Sequence, residues 1–232
     1  MSIPIDSPTT RWPPLPPEPP EPPLPRSPWL PEARPPGPAS ASASLVIGGP
    51  DWLAQRLLEE RVIALAGEVD EETANRVVAE LGVLDASGDE PVSLRLTGVS
   101  VELGAALTLV DALDLMGVPV HVTCLGTLTG PGVALLAVGD RRVAGRHATL
   151  HLCEPRSPHG IPGRELETIA AEQARQLRRL QERMAAACRR PVDGLAADMR
   201  AGRLLTAEEA REYGIVDTTE PAGRPPPVGP VP

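Results

Sequence analysis

Proline occupies 30 of the 232 positions, and its uneven distribution decides where this chain can fold. The stretch from residue 4 to residue 40 is dominated by proline, and the small-residue linker 39–44 follows it. Proline lacks a backbone N–H and fixes φ, so the stretch cannot join a helix or a central strand. We expect polyproline II geometry there. The sequence therefore predicts a disordered proline-rich arm over 1–44, one folded domain over 45–220 and a disordered tail over 221–232.

Two interpretations of the arm remain open. Its several PxxP registers are typical of ligands for the aromatic grooves of SH3- or WW-type domains. The same composition is also typical of a semi-rigid spacer that binds nothing. We favour the spacer on the sequence alone.

The composition of the chain excludes several classes of partner. There is no Phe, one Tyr and three Trp, whereas modules that bind single-stranded nucleic acid need aromatic platforms and a basic groove. The net charge of −9 also opposes binding to nucleic acid or to an anionic membrane. No apolar run reaches the ~18 residues that span a bilayer, and no secretory signal is apparent. Three widely spaced cysteines do not form a disulfide framework. We expect a cytoplasmic protein without nucleic-acid or membrane partners.

Helix-like and strand-like segments alternate within the predicted domain. Amphipathic spacing predicts helices at 51–60, 70–84, 103–116, 133–138 and 164–189, with a last one after Thr206. Apolar runs predict strands at 61–65, 92–96, 118–124, 142–144 and 149–153. Thr206 and Glu209 have the spacing of a capping box. Strands separated by helices predict right-handed βαβ crossovers and an α/β fold.

The segment from Cys124 to Ala134 has the outline of a strand-to-helix elbow. An apolar strand leads through a glycine-containing turn into a helix of small residues. Such an elbow normally presents a nucleophile at its tip. Here the tip is Gly130-Pro131, which offers no hydroxyl and no backbone donor after it. Proline at a first helical position is also typical of plain helix initiation, and we favour that role.

Four strings, taken in order along the chain, resemble the proteolytic subunit of Clp protease, a serine peptidase of the ClpP/crotonase fold. They are RLLEERVI at 56–63, GEVD at 67–70 with Ala74-Asn75 just after, CLG at 124–126 and LLTAEEAREYGIVD at 204–217. The resemblance covers nearly all of 45–220. It implies an α/β spiral of repeated ββα-type units with a protruding handle helix at 164–189. It also implies a ring-shaped, ATP-dependent endopeptidase that uses no cofactor.

The resemblance places the family's catalytic positions on residues that are mostly substituted. The triad positions fall on Gly130 (nucleophile), Cys153 (general base) and Asp198 (the orienting carboxylate, which is retained). The glycine-rich oxyanion turn falls on 98–101, with Ser100 and Val101 in place of glycines, and the second oxyanion amide falls on Pro131. Acyl transfer needs a hydroxyl beside a base and donors facing the oxyanion. The implied site is therefore dismantled, and the protein is predicted to be a pseudoenzyme.

A different chemistry at the same place remains an alternative. His147, Thr149, His151 and Cys153 alternate along a predicted strand, so they share one face. Cys153 could act as a nucleophile with His151 as its base. A zinc site could be built from His147, His151 and Cys153, with Cys124 or His159 as a further ligand. No C-x-x-C or H-E-x-x-H spacing supports it, and we expect no metal.

Three functions are therefore carried forward. The first is an inactive subunit with a structural or regulatory role, in a homo- or hetero-oligomeric ring with ClpP-type subunits that a Clp AAA+ unfoldase could feed. The second is an active hydrolase with the relocated pair Cys153 and His151. The third is a crotonase-fold binding or adaptor module that uses the proline-rich arm.

Overall fold

The computed structural model describes residues 51–155 and 163–219. The predicted arm and tail lie outside these residues. Within them, the chain forms seven α-helices and one six-stranded sheet. The helices are α1 (Asp51–Glu59), α2 (Glu71–Ala86), α3 (Leu103–Asp114), α4 (Val133–Val138), α5 (Gly163–Cys188), α6 (Val192–Ala201) and α7 (Ala207–Tyr213). The strands are β1 (Val62–Val69), β2 (Val92–Val101), β3 (Val120–Thr129), β4 (Arg141–Ala144), β5 (Thr149–Leu152) and β6 (Arg203–Thr206).

The sheet has the strand order β1-β2-β3-β5-β6. Strands β1, β2 and β3 are parallel to one another. The first half of β3 pairs with β4 and its second half with β5, both in parallel, and β6 closes the sheet antiparallel to β5. The predicted α/β arrangement is confirmed. No helix in 51–155 or 163–219 combines the length and apolar character needed to cross a bilayer.

The core lies between the sheet and the helices packed on one of its faces. Along β2, Val92, Leu94 and Leu96 are buried, whereas the alternate residues Ser93 and Arg95 are not. The period-2 pattern of the strand therefore separates a core face from an open face. On the helices, the apolar spacing read from the sequence faces the same core, as Val77 and other α2 residues show.

Three glycines with positive φ bend the three parallel strands at one level. Gly67, Gly98 and Gly126 have φ values of 77°, 60° and 72°. The register between β1 and β2 shifts at Gly67, and the register between β2 and β3 shifts beside Gly98. Glycine adopts this left-handed region without a steric penalty. Each strand therefore continues past its glycine, and the predicted strand ends at 65, 96 and 124 were wrong by four or five residues.

Two elements near the carboxyl end were not predicted. Helix α6 is short and carries Gly194 near its start, so its apolar periodicity rests on few residues. Strand β6 is only four residues long and directly precedes α7. The predicted capping box is present: the Glu209 backbone N–H donates to Thr206 Oγ1 at 3.3 Å, and the Thr206 N–H donates to the Glu209 carboxylate at 2.8 Å.

Arg142 of β4 binds the segment that follows α7. Its backbone N–H donates to Asp217 at 2.9 Å, its guanidinium pairs with the same carboxylate, and it donates to the Gly214 carbonyl at 2.8 Å. Burial acts to raise the pKa of Asp217, but the hydrogen bonds and charge of Arg142 outweigh it and lower that pKa. The contribution to stability is therefore complete above the unfolded pKa of about 4 and is lost as pH falls.

Asp217→Asn is expected to flatten the acid limb of the stability curve. Wild type should lose up to about 1 kcal/mol more than the variant below pH about 4, since solvent screens the Asp217 side chain, which is 41% exposed. Urea unfolding across the acid range measures the difference. The matched control is Asp193→Asn, which removes a carboxylate that is 91% exposed. If both variants follow the same curve, the Arg142 pair contributes nothing to acid stability.

Candidate active site

The predicted elbow is present at the end of β3. The strand ends at Thr129, a 3-10 turn spans Gly130–Gly132, and α4 begins at Val133. Gly130 has a φ of +58° and is buried. Residues with a Cβ incur about 1–2 kcal/mol in this left-handed conformation. The turn therefore has the left-handed geometry of a nucleophile elbow, and the glycine at its tip adopts it without strain.

The structure brings Gly130 and Cys153 together. Strands β3 and β5 pair in parallel with Thr129 opposite His151, so the residues that follow them also lie close. A Cβ placed on Gly130 would lie 3.5 Å from Cys153 Sγ and 3.5 Å from the Cys153 carbonyl oxygen. A side chain at the tip of the elbow would therefore face a half-buried thiol.

Pro131 and the end of β2 lie beside the tip of the elbow. Pro131 directly follows Gly130, is buried, and has no N–H to donate. Ser100 and Val101 belong to β2, and both pair with residues of β1. On the other side of β2, Ser100 lies opposite Thr129 of β3. The buried Val101 side chain comes within 3.0 Å of where a Cβ on Gly132 would lie. The apolar side chain of Val101 thus packs against the elbow from the end of β2.

Asp198 of α6 is engaged by residues of the neighbouring elements α7 and β6. It accepts a hydrogen bond from the Tyr213 hydroxyl at 2.7 Å and one from Arg203 Nη1 at 3.3 Å. The Tyr213 ring is 3% exposed, and the Arg190 guanidinium lies 3.8 Å above its centroid. The carboxylate therefore links α6 to α7 and β6. Tyr213 is the centre of this cluster, and no role was predicted for it from the sequence.

Tyr213→Phe is expected to lower the free energy of unfolding by about 1–3 kcal/mol, because Asp198 then loses its 2.7 Å donor in a partly buried place and keeps only the longer contact with Arg203. Burial, followed by the hydrogen bond to Asp198, raises the pKa of Tyr213. This stabilisation is present below the unfolded pKa of about 10 and is lost as pH rises above it. Tyr213 is the only tyrosine in the chain, so phenolate absorbance reports it alone. Ionisation at or below pH about 10 in the folded protein would contradict the assignment.

The predicted strand of alternating His and Cys residues is shorter than expected. Strand β5 contains Thr149 and His151, whereas His147 precedes it and Cys153 follows it. His151 is half-buried, and its Nε2 lies 3.5 Å from where a Cβ on Gly202 would be. A histidine therefore stands near the carboxyl end of α6, and the thiol stands beside the elbow.

The residues considered for zinc do not meet as a ligand set in the described part of the chain. Neither 51–155 nor 163–219 contains a group of three His, Cys, Asp or Glu residues that could hold a metal ion. Burial raises the pKa of Cys124 to about 11, which disfavours the thiolate that binds metals. His159 lies outside the described residues.

Comparison with known proteins assigns the family. A sequence profile of the Clp protease family matches residues 51–220. The chain is 32% identical over 170 residues to ATP-dependent Clp protease proteolytic subunit 3 of Rhodococcus jostii (strain RHA1), covering 72% of this chain and 84% of that protein. It is 30% identical over 168 residues to the protein of the same name from Nocardia farcinica (strain IFM 10152), covering 70% and 76%. The chain therefore belongs to the Clp protease family and is a homologue of its proteolytic subunits, with their α/β fold.

Proposed function

We propose that this chain is a subunit of a Clp proteolytic assembly that does not itself cleave peptide bonds. The observation that carries the proposal is the elbow: Gly130 occupies its tip, 3.5 Å from Cys153 Sγ measured from a Cβ position. The elbow that would carry a nucleophile is present, but Gly130 has no hydroxyl and Cys153 has no imidazole. The role is structural or regulatory.

The size of the lost effects supports inactivity. Removing the nucleophile or the base of a serine triad lowers kcat by about 10⁶-fold. Removing one oxyanion donor from an otherwise intact site lowers it by ~10²–10³-fold. Gly130 removes the first group, Cys153 replaces the second, and Pro131 withholds a donor. Asp198, assigned to the orienting position, is bonded to Tyr213 and Arg203.

The long helix α5 supports a role in assembly. It has 26 residues, which corresponds to about 39 Å. None of residues 168–179 is buried, whereas Leu180, Met184 and Cys188 pack into the core. The amino-terminal half therefore extends from the core of its own subunit. In the proposed function it is the handle through which the chain joins other ClpP-type subunits, in a chamber that a Clp AAA+ unfoldase supplies with substrate.

Purification of the protein from its native host, with mass spectrometry of what co-elutes, tests the partnership. The proposal predicts stoichiometric co-elution with a Clp proteolytic subunit that carries a serine at the elbow. A matched preparation with Ile169→Glu on α5 should lose that subunit, whereas Arg175→Glu on the exposed face should keep it. Elution of the wild-type chain alone, without any Clp subunit, would refute the assembly role.

One observation favours a second candidate. Because the Cys153 thiol lies beside the elbow, a cysteine hydrolase with His151 as base would act at the same place. It predicts peptide hydrolysis that Cys153→Ala abolishes. The missing donor at Pro131 argues against it. The adaptor hypothesis depends on the proline-rich arm, which lies outside the described residues.

A further inference from the structure

Strand β1 forms an edge of the sheet that has no partner strand among the described residues. The strand order begins with β1, and of the strands in 51–155 and 163–219 only β2 pairs with it. The sequence of β1, VIALAGEV, contains a single charged residue, Glu68. Folded proteins normally cover such a long apolar edge, or block it with charged residues or proline. A further segment of chain is therefore expected on the outer side of β1.

The outward backbone groups of β1 can be assigned from one hydrogen bond. The Arg61 carbonyl accepts from the Ser93 N–H of β2 at 2.9 Å. The N–H of the next residue, Val62, lies on the opposite side of the same planar peptide group, so it points away from β2. Successive residues of a strand direct their backbone groups to opposite sides, so those of Ala64 and Ala66 point outward as well. These groups are oriented to pair with an added strand.

Helix α1 packs against β1 and has apolar side chains that are not fully covered. Leu58 contacts the hydrophobic core. By contrast, Leu53 and Leu57 are only half-buried, and Trp52 is 63% exposed. Leu53 and Leu57 are four residues apart, so they lie on one face of the helix. An apolar segment beside β1 would complete the cover of that face.

The residues directly before α1 have the composition of the missing strand. They lie outside the described residues. The run SLVI at 44–47 is apolar and β-branched, as is typical of strands, and GGP at 48–50 is typical of a turn. The connection 49–61, which includes α1, supplies the dozen or more residues that a crossover between parallel strands needs.

The position of α1 gives this crossover the usual hand. Helix α2 connects β1 to β2, α3 connects β2 to β3, and both pack on the core face of the sheet. Helix α1 lies on the same face, because Leu58 joins that core and lines one groove with Leu84 of α2. A strand outside β1 that is followed by α1 therefore repeats the arrangement of β1, α2 and β2, which is the right-handed crossover.

We propose that residues 44–48 add to the outer edge of β1 as a parallel strand, with α1 as the crossover of the resulting β-α-β unit. Five strand residues extend about 16 Å, which matches 62–66 of β1. The nine-residue helix α1 returns the chain by about 13.5 Å. A second copy of the chain carries the same segment, but the short connection to α1 favours pairing within one chain. The unit depends only on the sheet edge, whether or not the chain cleaves peptides.

The apolar pattern of the segment sets its register. Leu45 and Ile47 alternate with Val46, so they share a face. With Val46 opposite Ala64, both of them lie on the core face, where they cover the half-buried side chains of α1. In this register the N–H of Ile47 donates to the Ala64 carbonyl. The added strand fixes residue 44, where the proline-rich arm ends, at the outer edge of the sheet.

Hydrogen exchange of the full chain, resolved to single residues, tests the added strand. The N–H groups of Val62, Ala64 and Ala66 should exchange at least about tenfold more slowly in wild type than in Ile47→Pro, which removes the donor to Ala64. The matched control Ala41→Pro lies outside the strand and should exchange as wild type does. Equal exchange in wild type and Ile47→Pro would overturn the proposal. Exchange of all three amides at the unfolded rate in wild type would overturn it too, whether or not the variant folds.

A disulfide between the two strands tests the register and the occupant. Val46→Cys with Ala64→Cys places two thiols on neighbouring strands about 4.8 Å apart, within the Cα spacing that a disulfide needs. We expect an oxidised monomer. The control pair Ser42→Cys with Ala64→Cys, displaced by four residues or about 13 Å, should remain reduced. Equal cross-linking of both pairs would contradict a fixed strand, and a disulfide-linked dimer would show that a second copy covers the edge instead.

Discussion

Gly130→Ser is expected to leave the protein without measurable peptidase activity and without labelling by a fluorophosphonate probe. The new hydroxyl would lie beside the Cys153 thiol, since a Cβ at this site is 3.5 Å from Cys153 Sγ. A thiol is not a base for serine at neutral pH, and the next residue, Pro131, has no N–H for the oxyanion. Loss of a triad base alone lowers kcat by about 10⁶-fold.

A stepwise series of variants tests whether the missing hydroxyl, imidazole and amide together cause the lack of activity. The triple variant Gly130→Ser, Pro131→Ala and Cys153→His is expected to react with the probe faster than any single or double variant, because it supplies hydroxyl, imidazole and amide together. Each intermediate is checked for folding, as Gly130→Ser incurs about 1–2 kcal/mol at φ +58°. Rapid labelling of the single Gly130→Ser variant would contradict the account.

Gly214→Ala is expected to lower the free energy of unfolding by about 3 kcal/mol. Gly214 caps α7 with a φ of +93°, and an added Cβ would lie 2.8 Å from the Cys188 carbonyl oxygen. The left-handed conformation contributes about 1–2 kcal/mol of this loss, and the forced backbone shift contributes about 1–3 kcal/mol. The substitution moves α7 away from the end of α5 and disturbs the adjacent Tyr213 cluster.

Urea unfolding measures the effect, with Gly194→Ala as the matched control. Gly194 lies in α6, and a Cβ there meets nothing within 4 Å. Alanine is the better helix former, so the control should be unchanged or more stable by roughly 0.5 kcal/mol. Similar stability for the two variants would show that the α5–α7 contact is looser than the structure indicates.

The parts of the fold that the sequence predicted are those set by local patterns. The capping box at Thr206 and the helix over Val133–Val138 need only neighbouring residues. The strand ends were missed because a glycine inside a strand and a glycine after a strand look alike in sequence. Only the pairing of neighbouring strands shows that Gly67 and Gly98 are bulges.

The candidate site was predictable in part for the same reason. The substitutions at Gly130 and Pro131 can be read from the sequence once the elbow is identified. The approach of Cys153 to Gly130 depends on the register of β3 with β5, which no local pattern specifies. The bonds from Asp198 to Tyr213 and Arg203 join elements that meet only in the folded chain.

The most direct test of the central claim is a fluorophosphonate and peptide-hydrolysis assay on the isolated full-length chain, alongside Cys153→Ala and a Clp subunit that retains its serine. The account predicts no label and no turnover in this chain, with or without Cys153, while the serine-bearing subunit takes all of the label. Peptide hydrolysis by the isolated chain that Cys153→Ala abolishes would contradict it and establish the cysteine hydrolase instead.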